Sequence, residues 1–277
     1  MYIWRKQATS DWVRRNVDEL LARLGSAIAI VEQPGKPRAL VEVSCRRQIE
    51  AKQLEREFGG RIEKLRADWL QHFARKSRTK PLRVGSRLVV SRSAESKLKG
   101  ARTIVIPAEA AFGTGDHPTT AMSLRMLERI TRKRAGDWSM LDAGTGSGIL
   151  AIAGSYFGAK RIVAIDNDPI ASSTAERNAR RNRTRNIEFR TGDVLKEKIG
   201  EKFDVITANL FSEILIAALP IWSRHLANNG RLILSGVLRS QERTLVTALH
   251  RNDFRAEEIK RRGRWIAILA SRPRKRS

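Results

Sequence analysis

The sequence predicts a doubly wound α/β domain preceded by a small α+β unit. Three observations carry that prediction. From about residue 138 onward, short apolar segments alternate with amphipathic ones, the order that builds a parallel sheet covered by helices on both faces. A glycine-rich turn, Gly144-Thr145-Gly146-Ser147-Gly148, sits where the first of those apolar segments gives way to a helix. The first 73 residues follow a different order, two helices set among four strand-like segments.

In the carboxyl-terminal part, strands are read at 139–143, 161–166, 186–190, 203–208 and 231–237, with helices at 148–157, 169–182, 212–226 and 239–251 between them. Two further β segments, 254–261 and 264–271, are split by Arg262-Gly263 alone, which makes them a hairpin and forces one closing strand to run antiparallel. A helix at 118–134 leads into the first strand. The amino-terminal part reads as strand 2–7, helix 11–24 ending at Gly25, strands 27–32 and 39–44, helix 46–58 ending at Gly59-Gly60, and strand 61–66. That βαββαβ order predicts a ferredoxin-like domain. The domain boundaries so expected are 1–73, a basic structured connector at 74–106 with short β segments at 87–90 and 103–106, and 107–277.

Composition narrows the function. The chain has 277 residues, 41% of them hydrophobic, enough to bury a full core and to form two domains. No apolar run approaches the ~18 residues of a membrane span, and Met1-Tyr2-Ile3-Trp4-Arg5-Lys6 lacks the apolar core of a secretory signal, so a cytoplasmic protein is expected. The single cysteine, Cys45, excludes an intramolecular disulfide and a cysteine-based zinc cluster. Four histidines share no metal-ligand spacing, and no metal is expected. The net charge is +25. Residues 75–102 hold ten basic residues and one acid, Glu95, while residues 260–277 hold eight basic residues and no acid. These stretches either contact RNA phosphates or form a solvated face.

The turn Asp142-Ala143-Gly144-Thr145-Gly146-Ser147-Gly148 has the spacing G-x-G-x-G, not the G-x-G-x-x-G of a dinucleotide site. That variant suits a ligand without a pyrophosphate, with Asp142 near an amino group and the glycine backbone against an aliphatic portion. The second strand ends at Asp166, about 20 residues past the glycines, where a carboxylate can accept both ribose hydroxyls. Asp168 and Pro169 open the next helix as cap and first residue. Asp193, after the third strand, either faces an adenine amino group or is a loop residue. Asn209 ends the fourth strand, pointing into the crevice at the carboxyl edge of the sheet or capping the helix near Ser212. Ahead of the sheet, Phe112-Gly113-Thr114-Gly115-Asp116-His117-Pro118-Thr119-Thr120 reads as a lid over a ligand, with Asp116-His117-Pro118 starting a helix.

These motifs, in this order over residues 105–235, resemble those of the PrmA family, the methyltransferases of the eleventh large-subunit ribosomal protein (uL11). The matching pieces are Phe112-Gly113-Thr114-Gly115 with His117-Pro118-Thr119-Thr120, then Gly144-x-Gly146-Ser147-Gly148-Ile149-Leu150, Asp166-x-Asp168-Pro169 with Asn178-Ala179, and Ala208-Asn209. The resemblance implies a seven-stranded class I (Rossmann-like) methyltransferase domain, S-adenosyl-L-methionine as cofactor, and a ribosomal protein amine as substrate. It implies donor binding by Thr120, Gly144, Asp166 and Asn209, to which the reading of the residues adds Phe112, Asp142, Gly146, Gly148 and Asp193 as expected binding positions. Asn209 and Thr120 are the expected catalytic pair. Asp116 stands where the family usually has Thr, and Leu210-Phe211 where Ile-Leu is common. Two rival readings remain at this stage: an RNA-base N-methyltransferase and a non-catalytic ribosome assembly factor.

Overall fold

The structure, a computed structural model, describes residues 2–24, 28–32, 38–45, 47–64, 81–92, 101–107, 117–132, 134 and 136–273. The chain divides into two compact units, Met1–Lys76 and Ser77–Ser277.

In the first unit the order is β1 (Tyr2–Thr9), α1 (Ser10–Leu24), β2 (Ile28–Glu32), β3 (Arg38–Cys45), α2 (Gln48–Phe58) and β4 (Arg61–Lys64). The strands form one antiparallel sheet in the order β2-β3-β1-β4, the arrangement of a ferredoxin-like fold. Its core is Trp4, Leu20, Val41, Val43, Ala51 and Leu54. Trp4 is fully buried because its indole N–H donates to the Gly59 carbonyl at 2.7 Å, which satisfies its one polar atom.

The second unit begins with three short strands, β5 (Leu82–Val84), β6 (Leu88–Ser91) and β7 (Arg102–Val105), where the sequence predicts two. The missed strand is three residues long with an arginine at its centre, too short to display a period. Next come α3 (Pro118–Thr131), β8 (Ser139–Ala143), α4 (Ile149–Tyr156), β9 (Arg161–Asp166), α5 (Pro169–Arg181), β10 (Ile187–Thr191), β11 (Phe203–Asn209), α6 (Ser212–His225), β12 (Leu226–Leu238), α7 (Glu242–Arg251), β13 (Arg255–Arg262) and β14 (Trp265–Ser271). β12 starts earlier than predicted because Leu226 already pairs with Phe203. The predicted start of α7 is instead a 3-10 turn at Arg239–Gln241.

The large sheet has the order β10-β9-β8-β11-β12-β14-β13. All pairings among β8 to β12 are parallel, and β14 runs antiparallel to both its neighbours. The sheet is the seven-stranded class I arrangement. Adjacent residues along each central strand enter opposite cores. Met140, Ile162, Val205 and Ile233 face the layer that holds α3 and α4, whereas Leu141, Val163, Ile206 and Leu232 face the layer of α6 and α7. Burial on both faces explains why these strands read as unbroken apolar runs. The small sheet joins the first of these cores through Val84, Leu88, Val90 and Ile104.

Sequence order reverses about β8, with β9 on one side and β11 on the other, so the crevice opens at the carboxyl ends of these strands. Among the described residues no helix is long and apolar enough to cross a membrane, and no group of three or more His, Cys, Asp or Glu is placed to hold a metal.

Asn182, just past α5, fastens the small sheet to the large domain. Its side chain accepts from the Val105 N–H and donates to the Val105 carbonyl, both at 2.8 Å, while buried. Asn182→Ala leaves that donor and acceptor without partners, and is expected to cost about 2 kcal/mol in urea unfolding. An unchanged midpoint would show that the pairing contributes nothing.

Candidate functional site

Six of the predicted residues gather at the carboxyl ends of β8, β9 and β11. Gly144, Gly146 and Gly148 adopt φ of 73°, 56° and 79°, so the chain turns sharply between β8 and α4. Two consecutive amides, of Gly144 and Thr145, donate to the Ile165 carbonyl at 2.8 and 3.0 Å, locking the turn to β9. A Cβ at Gly148 would stand 3.0 Å from that of Ala175, so the third glycine lets α4 and α5 pack closely. Behind it, the buried Asn178 donates to the Ser147 carbonyl at 2.9 Å.

The Asp166 carboxylate closes the turn from the second strand. Its Oδ2 accepts from the Gly146 N–H at 2.8 Å and its Oδ1 from the Asp168 N–H at 3.0 Å. A carboxylate has about four acceptor positions, so both oxygens keep a lone pair for a diol. Asp168 caps α5 by accepting from the Ile170 N–H at 2.9 Å, with Pro169 at the first helical position.

The sequence reading aims Asp142 at a ligand's amino group, but the structure places it beneath the turn, 1% exposed. Its Oδ1 accepts from the Thr207 hydroxyl at 2.6 Å, and its Oδ2 from the Thr145 hydroxyl at 2.7 Å and the Ala151 N–H at 3.2 Å. Burial pushes its pKa up to about 6 against the opposing pull of these three bonds. Asp193 also serves its own loop. Its Oδ1 accepts from the Leu195 N–H at 2.9 Å, and the Lys196 ammonium lies 3.5 Å from Oδ2. Phe112 and the rest of the expected lid up to Asp116 lie outside the described residues.

Asn209 and Thr120 meet across 89 positions of sequence, the amide Nδ2 lying 3.4 Å from the Thr120 hydroxyl. Thr120 sits in the first turn of α3 and is 1% exposed. The Asn209 Oδ1 is buried with no hydrogen-bond partner among the described residues. Asn209 does not cap α6; that position belongs to Phe211, which has no side-chain cap bond and is 72% exposed. This oxygen, buried at the switch point and without a donor among the described residues, has the capacity to accept a further N–H.

Gly236 is a position beside the crevice that sequence reasoning did not single out. With φ of 88°, it interrupts the β12–β14 register, and a Cβ there would lie 2.4 Å from the Leu210 carbonyl oxygen. The neighbouring Ser235 carbonyl accepts from the Leu210 N–H at 3.1 Å, so the bulge receives the turn that follows Asn209. A glycine inside an apolar strand was the available signal.

His117, predicted at the start of α3, occupies the N-cap position; its Nδ1 lies 2.6 Å from the Thr119 hydroxyl and its ring stands edge-on to Trp265. Burial, reinforced by Arg264, lowers its pKa and favours the neutral ring.

Against this geometry, the family model described as "Ribosomal protein L11 methyltransferase (PrmA)" matches residues 16–273. A ribosomal protein L11 methyltransferase of Heliobacterium modesticaldum is 38% identical over 208 residues, 74% of this chain and 64% of that relative. Its counterpart in Lactobacillus johnsonii is 41% identical over 162 residues, 58% of this chain and 50% of the relative. The chain thus spans less than two thirds of the length of these curated relatives. The crystal structure of a ribosomal protein L11 methylase from Lactobacillus delbrueckii subsp. bulgaricus is similar with a TM-score of 0.64 and 31% identity, covering 70% of this chain and 99% of that one.

The raised pKa of Asp142 makes a pH prediction. Ionisation is harder in the folded state than in the unfolded chain, so the stability tied to this group is complete below about pH 4 and is lost as pH rises through about 6. Asp142→Asn removes that loss, so the melting temperature of the variant relative to the natural protein should climb between about pH 4 and 6 and level off above. A difference that stays constant with pH would refute it.

Proposed function

The chain belongs to the ribosomal protein L11 methyltransferase family, and we propose that it transfers a methyl group to lysine side-chain or amino-terminal amines of that ribosomal protein. S-adenosyl-L-methionine is the cofactor, and when bound it supplies an electrophilic methyl group on a sulfonium. The residues of the crevice fit such a ligand: an open glycine backbone, a carboxylate at Asp166 with acceptor capacity left, and a buried oxygen without a partner among the described residues. Gly144, Gly146, Gly148 and Asp166 would hold it, with Asp142 acting one step removed by fixing the turn.

The observation that carries the reading is the orphaned Oδ1 of Asn209 beside Thr120. In this role the oxygen accepts an N–H of the substrate amine and aims the nitrogen lone pair, while Thr120 holds the amide plane. A lysine amine with an ordinary pKa of about 10.4 must be neutral to react. Burial in the crevice, beside a positively charged ligand, disfavours its ammonium form, so no strong base on the protein is required. Positioning then supplies most of the acceleration.

The ferredoxin-like unit carries none of the crevice residues, which supports a docking role toward the protein substrate. A ribosomal-protein substrate supports a cytoplasmic setting for the reaction.

Two measurements test the assignment. S-adenosyl-L-methionine should raise the melting temperature whereas NAD should not, and Gly144→Val, which forces a branched side chain onto a φ of 73° and against Leu210, should abolish the shift. Radiolabelled methyl transfer to ribosomal protein L11 should fall about a hundredfold in Asn209→Ala. Label appearing in ribosomal RNA instead of protein would favour the RNA-base reading, and a wild-type rate in the variant would remove Asn209 from the mechanism.

A further inference from the structure

Within the two basic stretches singled out in the sequence, two described arginines are spent on internal ion pairs. Arg87 binds the buried Glu128 at 3.2 Å and stacks on Phe157, and Arg261 pairs with Glu242 at 2.8 Å. A different cluster stands out in the fold: Arg177, Arg180, Arg181, Arg183 and Arg185, five exposed arginines with no acid among residues 177–185.

They occupy the end of α5 and the loop into β10, at the amino edge of the parallel strands and opposite the crevice. The loop is tightly held. Thr184 donates its N–H to the Ala179 carbonyl at 3.0 Å, the buried Asn182 grips Val105, and Asn186 donates to the Ala159 carbonyl at 2.6 Å. Arg102, on the adjoining β7, lies over Tyr156, whose hydroxyl donates to the Asn182 carbonyl. That brings a sixth exposed cation to the same edge.

Two features separate this cluster from an ordinary solvated face. Arg161, on the same edge, is neutralised by Glu201 and Glu188 at 2.8 and 3.2 Å, whereas Arg183 and Arg185 have no acidic partner among the described residues. Arg183 also adopts φ of 56°. It follows the C-cap Asn182, the position where helices favour glycine, and a left-handed backbone is disfavoured for a residue that carries a side chain. Arg180 and Arg181 already complement the helix dipole in the last turn, so Arg183 is not needed for that. An arginine kept at a strained site beyond the helix implies a use for its guanidinium.

We infer that the arginine edge formed by Arg183, Arg185 and Arg102 at the end of α5 binds the phosphate backbone of structured RNA, leaving the crevice on the opposite edge open. Guanidinium groups match phosphate oxygens in pairs, and a rigid loop presents them without an ordering cost. A lipid surface fits less well, because no large apolar side chain is exposed between residues 177 and 186; Ile170 is exposed at the other end of α5. The inference stands apart from which amine is methylated.

The test is binding of a short RNA duplex by the full chain as salt is raised, for the natural protein, for Arg183→Glu/Arg185→Glu and for Arg183→Gly. The natural protein should bind with an affinity that falls steeply with salt. The double reversal should weaken binding at least tenfold and reduce the slope of log affinity against log salt by about two. Arg183→Gly should weaken RNA binding while raising the melting temperature, a pairing that a purely structural arginine would not produce. In both variants the stabilisation by S-adenosyl-L-methionine should be unchanged, which reports folding and separates this result from the fate of the methyltransferase reading. Absence of duplex binding by the natural protein, equal slopes in all three proteins, or binding to phosphatidylserine vesicles in place of RNA would each overturn the inference.

Discussion

The buried carboxylate of Asp142 is the constraint on which the crevice depends. One oxygen holds Thr207 on β11 and the other holds Thr145 in the glycine turn and Ala151 on α4. Three elements that meet at the switch point are thereby fixed by one group. A carboxylate is suited to this because it accepts in several directions at once, which a hydroxyl or an amide does less well. The cost is desolvation, visible in the raised pKa, and it is offset only while all three donors remain in place. With the turn set, the Gly146 amide lies where Asp166 can reach it, and the ends of β8 and β11 stay in register.

Above this frame the site draws on distant parts of the chain. Thr120 belongs to the helix that precedes the sheet, Asn209 to the fourth parallel strand, and Gly236 to the fifth. Each controls the next: the bulge at Gly236 admits the Leu210 backbone, and that turn leaves the Asn209 amide beside Thr120. Asp142 thus belongs to the frame, although its spacing suggested a place against a ligand.

Much of this was legible in the sequence. Strand–helix alternation gave the sheet, the short Arg262-Gly263 connection gave the one reversed strand, and the separation of the glycines from Asp166 placed both at one edge. Asp168 and Pro169 read correctly as a helix start because capping is a local interaction. Pairwise facts between remote segments were not legible. Nothing in the order of residues shows that Thr207 stands opposite Asp142, which is a matter of strand register. The same holds for Gly236, whose need is set by Leu210 on a neighbouring strand, and for Arg183, whose backbone hand is decided by how α5 ends. The basic composition was plain, but which cations face acids depends on packing.

The reversed strand bears on how the protein is made. β14 follows β13 in chain order, yet it lies between β12 and β13. During synthesis, every strand of the crevice emerges while the flank of β12 is still bare, and β13 has no neighbour until β14 arrives. An apolar strand with open amide and carbonyl groups is a template for pairing with other chains. Until β14 is inserted, the nascent polypeptide therefore has the strands of the crevice but an unprotected border, and is exposed to aggregation over that interval. Losing only β14 would disconnect two strands rather than trim one from an edge.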